Sequence, residues 1–155
     1  MNKFLSKGIT TLDNHAVRPH AWIYFLWAIM DSKIMCKIGY SVNPEERTSQ
    51  ISNSLPTTPF FLQLLPCLNK QQAKLFEKML HNHLQSFRTK PKGEWFADPN
   101  FFRLNNAIKS KVDEIVLLAE TFGYTFELQE INRPGPYPIL HDNGYIKAIV
   151  DPRER

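Results

Sequence analysis

Residues 22–47 read Trp22-Ile23-Tyr24-Phe25-Leu26-Trp27-Ala28-Ile29-Met30-Asp31-Ser32-Lys33-Ile34-Met35-Cys36-Lys37-Ile38-Gly39-Tyr40-Ser41-Val42-Asn43-Pro44-Glu45-Glu46-Arg47. The opening run, Trp22 to Ile29, is aromatic and β-branched, which suits a strand buried on both faces. Asp31-Ser32-Lys33 makes a tight turn, and Ile34 to Tyr40 reads as the returning strand, so the stretch predicts a hairpin. A helix start follows at once. Asn43 can cap it, Pro44 has the fixed φ suited to the first helical position, and Glu46 can reach back to the cap.

Downstream, this short helix ends before Leu55-Pro56, and Phe60 to Leu65 reads as a third strand. Asn69 caps a long helix with Gln72 at the reciprocal position, and its apolar stripe is Ala73, Phe76, Leu80, Leu84 and Phe87. After the loop Thr89 to Gly93 and the extended piece Glu94-Trp95-Phe96, Asp98-Pro99 opens another helix. Its expected stripe is Leu104, Ile108, Ile115, Leu118 and Phe122, ending at Gly123. Tyr124 to Ile131 is a candidate strand, and the run Arg133-Pro134-Gly135-Pro136-Tyr137-Pro138 argues for an irregular tail. Upstream, residues 1–20 show no clear period and read as an arm with room for one short helix. The expected fold is α/β: a small three-stranded, mainly antiparallel sheet centred on Trp22 to Met30 and flanked by the helices at Pro44 and Lys70. Its expected parts are an arm (1–20), a core domain (21–98), a C-terminal helix and strand packed on it (99–131), and a Pro-rich tail (132–155).

Length and composition bound the function. The chain has 155 residues, enough for one domain with appendages and not for two, and its 43% apolar and 22% charged residues are those of a globular protein. The longest apolar run, Ala21 to Met30, is far short of the ~20 residues a membrane span needs. No secretory signal is evident, because before His20 the apolar residues gather only into the isolated pairs Phe4-Leu5 and Ala16-Val17. Cys36 and Cys67 fit a reducing compartment as buried small side chains. A soluble, cytoplasmic protein is expected. The net charge is +4, and the excess sits early: residues 1–20 carry +2, residues 21–100 carry +3 and residues 101–155 carry −1. Arg88, Lys90 and Lys92 crowd one short loop, a feature suited to DNA phosphates as well as to an ordinary solvated surface.

Four features carry candidate chemistry. Tyr24 lies mid-strand, Gly39-Tyr40 ends the partner strand beside a helix start, and Arg47 sits on the first turns of that helix. Glu77 and His81, four apart on the long helix, share a face beside the apolar stripe. Each has a plainer reading: a strand aromatic, solvated helix residues, a surface pair. No third ligand at a usual spacing makes Glu77 and His81 a zinc site. Together, a phenol, a guanidinium and a carboxylate are suitable tools for phosphodiester hydrolysis.

Their order is more specific than any one of them. Ile23-Tyr24, then Lys37-Ile38-Gly39-Tyr40-Ser41, Asn43-Pro44, Arg47 eight residues after Gly39, Glu77 and His81 in a helix, then Gly93-Glu94-Trp95-Phe96, resembles the GIY-YIG nuclease superfamily over about residues 21–98. Within it the chain looks most like the phage-associated branch described as a DNA-binding domain, in which the second motif commonly reads Lys-Ile-Gly. The resemblance implies metal-dependent endonucleolytic cleavage of DNA. Tyr24 would take the proton of the attacking water or orient it, Arg47 would stabilise the pentavalent phosphate, and Glu77 would hold a single Mg²⁺ or Mn²⁺. His81 would relay a proton or contact phosphate, and Arg88, Lys90 and Lys92 would bind backbone phosphates outside the reacting centre. Two positions depart from the superfamily pattern. Trp22 stands where the first motif has glycine, a packing change, and Lys37 stands where the second has tyrosine, so that Lys37 or Tyr40 takes over that role. Trp95 and Phe96 read as core rather than base-stacking groups. The alternatives are a DNA-binding module with weak or no cleavage, and a regulator acting on a protein partner. The terminal segments leave room for such a partner or for a homo-oligomer.

Overall fold

The computed structural model describes residues 10–12, 15–89, 93–124 and 126–153. Lys90 and Lys92 therefore lie outside the described residues. Two short strands, β1 (Thr10–Leu12) and β2 (His15–Val17), pair as a hairpin where the arm was expected. The decisive stretch folds as its sequence predicts. β3 (Ala21–Met30) pairs antiparallel with β4 (Lys33–Ser41), and Tyr24 stands opposite Gly39. Asp31 (φ 52°) and Ser32 (φ 61°) make the two-residue turn between them, both in the left-handed region that matches the strand twist. Asn43 Oδ1 accepts from Glu46 N at 3.3 Å while Asn43 Nδ2 donates to the Glu46 carboxylate at 3.0 Å, starting α1 (Pro44–Ser54). β5 (Phe61–Cys67) follows on the other side of β3. Asn69 Oδ1 then accepts from Gln72 N at 2.9 Å to start α2 (Lys70–His83).

The sheet is larger than the expected three strands. β6 (Trp95–Asp98) pairs outside β4, and β7 (Gln129–Asn132) pairs outside β5, giving five antiparallel strands in the order β6-β4-β3-β5-β7. Both added strands are only four residues long and lack a long β-branched run, yet they satisfy backbone groups that β4 and β5 would otherwise leave open. Between them α3 (Phe101–Thr121) starts at the Asn100 cap, two residues after the expected Asp98. Its buried stripe is Leu104, Ile108, Val112, Ile115 and Ala119. Leu118 is only partly buried, and Phe122, expected on the stripe, is 66% exposed just past the last turn. The tail is not irregular: β8 (Tyr137–Leu140) and β9 (Ile146–Val150) form a third hairpin among the described residues. Pro138 is tolerated there because a two-stranded ribbon leaves each strand one unpaired edge.

Strand alternation sorts the core into two. Ile23, Phe25, Trp27 and Ile29 face α2 and α3 and pack with Phe76, Leu80, Phe96 and Ile108. Trp22, Tyr24 and Leu26 face the other way and pack with Ile51 of α1, Leu62 and Leu64. Cys36 and Cys67 are buried and free, and burial raises both thiol pKa values, that of Cys67 to about 12. Among the described residues, no helix is long and apolar enough to cross a membrane.

Candidate active site at the open edge of the sheet

β6 reaches only as far as Lys37, which stands opposite Trp95. Beyond that point, among the described residues, β4 has no strand on its outer side, and Ile38 and Tyr40 turn their backbone groups toward the gap. Three other residues fill it. Ile38 N donates to Glu94 O at 2.9 Å, His81 Nε2 meets Ile38 O at 2.8 Å, and Tyr40 N–H donates to the Glu77 carboxylate. Two side chains of α2 thus stand in for the missing strand. The substitution has a consequence for position: α1 and α2 cover opposite faces of the sheet, yet Glu77 is carried to the edge where both faces meet.

On the other face Tyr24 lies across Gly39. A Cβ at Gly39 would run into the Tyr24 hydroxyl and stand 2.8 Å from Glu94 Oε1, so only glycine fits beneath the phenol. Arg47, an exposed residue of the first turns of α1, hydrogen-bonds the Tyr24 side chain. Glu94 and Glu77 both act on the same phenol electrostatically. Tyr24 is 1% exposed, packed with Trp22, Leu26, Ile51, Leu62 and Leu64, so it is a buried residue at the edge of the site. Burial first, then the Glu94 charge, pushes its pKa up to about 12, which keeps it a phenol at neutral pH. The same two causes raise Glu77 from 4.5 to about 7. Burial lowers the pKa of His81, leaving its imidazole neutral.

The register also separates Lys37 from Tyr40. Lys37 pairs with Leu26 and so shares the Tyr24 face, where its ammonium lies 3.5 Å from Glu94 Oε2 and 5.5 Å from the Trp95 ring centre. Tyr40 pairs with Ile23, and its side chain packs on the α2 side. Its backbone N–H, not its phenol, enters the site. Arg88 ends a 3₁₀ turn with its guanidinium 5.7 Å from the Phe96 ring centre, on the His81 side of the edge. Phe96 is buried core and Trp95 half-buried beneath Lys37.

One donor atom each of Glu77, His81 and Glu94 lies within 4.8 Å of the other two, a spacing at which all three can bind one cation. The carboxylate oxygens suit Mg²⁺ or Mn²⁺, so the residues fit the group that Glu77 was expected to hold. Glu94 had been read only as part of the Gly93-Glu94-Trp95-Phe96 run. It immediately precedes β6, and the pairing of that strand with β4 places its carboxylate beside the second motif.

With this geometry in place, the family model of the T5orf172 domain matches residues 21–118. The chain belongs to the T5orf172 domain family. The T5orf172 match begins at the first residue of β3 and ends three residues before the end of α3. It thus takes in every residue of the site described above. The family is a phage-associated one of nuclease-like or DNA-binding type. No curated protein and no solved structure matches the chain.

Proposed function

We propose that this T5orf172 protein binds DNA and hydrolyses its phosphodiester backbone with the help of a divalent cation, the chemistry of the GIY-YIG endonucleases. The observation that carries this reading is the convergence of Tyr24, Arg47 and Glu77 at the Gly39 end of β4, from three elements on two faces of the sheet. A structural role alone gives no reason to gather a guanidinium, a phenol and two carboxylates over one glycine.

Within this reading each residue has a physical task. Arg47, exposed and anchored on the Tyr24 oxygen, offers its remaining N–H groups to a phosphate and offsets the charge that builds up on it during attack. Tyr24, a phenol at neutral pH, orients Arg47 and the attacking water rather than acting as a phenolate base. Neutral His81 keeps one unprotonated ring nitrogen at neutral pH, which can take a proton or a cation but not both at once. Glu77, and with it the adjacent carboxylate of Glu94, holds the cation. A divalent cation bound there would supply Lewis-acid stabilisation of the phosphate. Arg88, Lys90 and Lys92 supply backbone phosphate contacts that position the DNA.

The second reading, a DNA-binding module without cleavage, draws support from Lys37. Its ammonium is occupied by Glu94 and Trp95, so it does not reproduce a second-motif phenol. Incubation of supercoiled plasmid with Mg²⁺ or Mn²⁺, wild type beside Glu77→Ala, decides between the two. Nicking or linearisation by wild type alone supports the nuclease. Binding without cleavage of any DNA form under either ion leaves the module.

A further inference from the structure

The cation site is built from more than the one helical carboxylate that the nuclease resemblance implies. Glu77 and His81 come from α2 and Glu94 from the position just before β6, and each is braced from outside the trio. Tyr40 N–H holds Glu77, the Ile38 carbonyl holds His81 Nε2 at 2.8 Å, and the Lys37 ammonium stands 3.5 Å from Glu94. When Nε2–H donates to Ile38 O, Nδ1 is left as the unprotonated nitrogen. A ring nitrogen fixed on a backbone carbonyl while the other keeps its lone pair is the usual support of a metal-binding imidazole. Two carboxylates whose oxygens lie within 4.8 Å repel one another unless positive charge stands with them. Lys37 supplies it most directly at Glu94, while Lys74 and Lys37 act on Glu77 less strongly than burial and the Glu94 charge oppose them.

We propose that Glu77, His81 and Glu94 form a three-donor site selective for a first-row transition cation, Mn²⁺ over Mg²⁺, and that Lys37 is a tethered cation competing with the metal for Glu94. The donor set decides the preference. Mg²⁺ keeps its waters and takes oxygen ligands, whereas an imidazole nitrogen shifts affinity toward Mn²⁺ and the later metals. A lone Glu77 would give no such shift. Lys37 makes the site self-neutralising when empty, since its ammonium partly occupies Glu94 on the side toward Trp95.

The proposal deepens the nuclease reading and takes its cation from it, but its test needs neither DNA nor cleavage. The full chain, stripped of metal with chelator, is titrated by calorimetry with MnCl₂ and separately with MgCl₂, and the Mn²⁺ form is examined by pulsed electron paramagnetic resonance. One Mn²⁺ should bind per chain, at least tenfold tighter than Mg²⁺, with a ¹⁴N coupling from His81. His81→Gln should abolish that coupling and most of the preference, Glu94→Gln should weaken Mn²⁺ at least tenfold, and Lys37→Met should tighten it severalfold. Absence of ¹⁴N coupling in the wild type overturns the proposal whether or not any variant folds. So does a Glu94→Gln chain, shown folded by circular dichroism, that binds Mn²⁺ as tightly as wild type. If those results overturn it while Glu77→Ala still abolishes cleavage, the nuclease stands without the three-donor site. If Mn²⁺ binds through all three residues and no DNA is cut, the site stands and the nuclease falls.

Discussion

The outer edge of β4 has two halves that meet at Lys37. From Ile34 to Lys37 it is covered by β6, residue against residue, and the side chains of Ile34 and Cys36 are wholly buried. From Ile38 to Tyr40 no strand among the described residues covers it, and its backbone groups are met by Glu94 O and by the side chains of His81 and Glu77. Ile38 N, Ile38 O and the Tyr40 N–H all have partners, so the open half is not simply an unpaired edge. The difference lies in what supplies the partners. A strand supplies peptide groups, which have no further chemistry. Side chains supply a carboxylate and an imidazole that remain able to bind a cation or move a proton. The edge strand stops early, and the candidate site occupies the gap it leaves.

The comparison is tested most severely at its functional half. Glu77→Ala should lower cleavage by about 10³-fold, equivalent to roughly 4 kcal/mol of transition-state stabilisation. In metal-free buffer it should bind DNA as well as wild type or slightly better, because a carboxylate aimed at a phosphate repels it. Arg47→Ala should also stop cleavage but weaken binding, since a phosphate contact leaves with it. Cleavage assays paired with filter binding check both. Affinity changes of the same sign in the two variants would remove the distinction on which their roles rest.

At the covered half the expected loss is in stability. Ile34→Ala empties a fully buried position in the larger core and should cost about 2–5 kcal/mol in urea unfolding. The protein that remains folded should still bind metal and cut DNA. A large loss of activity per folded molecule would mean that the two halves are coupled rather than separate.

Gly39→Ala tests the seam between the halves. The added methyl would meet the Tyr24 hydroxyl and Glu94 Oε1, so one of the two must move. A loss of about 1–3 kcal/mol is expected from the overpacking, with cleavage reduced because the phenol carries Arg47. Tyr24→Phe in the same background removes the hydroxyl but keeps the ring carbon that stands 2.5 Å from the added methyl, so it should recover little stability and no cleavage, as read by thermal melts beside plasmid assays. Recovery of both would show that the phenol has no part in the chemistry.

What the amino-acid sequence showed, and what it hid, follows the same division. The hairpin, the Asn43 and Asn69 caps and the α2 stripe depend on neighbours in sequence, so their signals are local and were readable. β7 was legible only as the end of a longer candidate strand from Tyr124 to Ile131, and the β8–β9 hairpin was not, because its strands are short and the prolines around Pro134 and Pro138 carry the signal of an irregular segment. Tyr24, Arg47 and Glu77 could be picked out through motif spacing. Glu94 could not be distinguished from a solvated acid until β6 was paired with β4. The choice between Lys37 and Tyr40 was within reach of strand alternation alone. Gly39 faces Tyr24, so the residue two before it shares that face and the residue one after it does not.

The smallest expected effect lies again at Glu77, through pH. In the folded chain its pKa is raised from 4.5 to about 7, chiefly by burial and then by the Glu94 charge. Between those values the native state holds a proton that the unfolded chain has released, so its stability falls as the pH rises. The contribution is fully present below about 4.5 and is lost as the pH passes through about 7. Glu77→Gln cannot ionise and keeps an oxygen to accept the Tyr40 N–H. With divalent ions chelated, the variant should therefore melt with wild type at pH 4.5 and above it at pH 8. Partial solvent contact screens the effect, and a chain of this size gains only about 2–4 °C for each kcal/mol, so the shift should be no more than a few degrees. Restoring Mn²⁺ at pH 8 should reverse the order, because the cation stabilises the ionised wild-type carboxylate and has less hold on the amide. A variant that melts below wild type at pH 8 without metal would mean that Glu77 serves the edge mainly as a charged acceptor for Tyr40, and that the open half of β4 is as structural as the covered one.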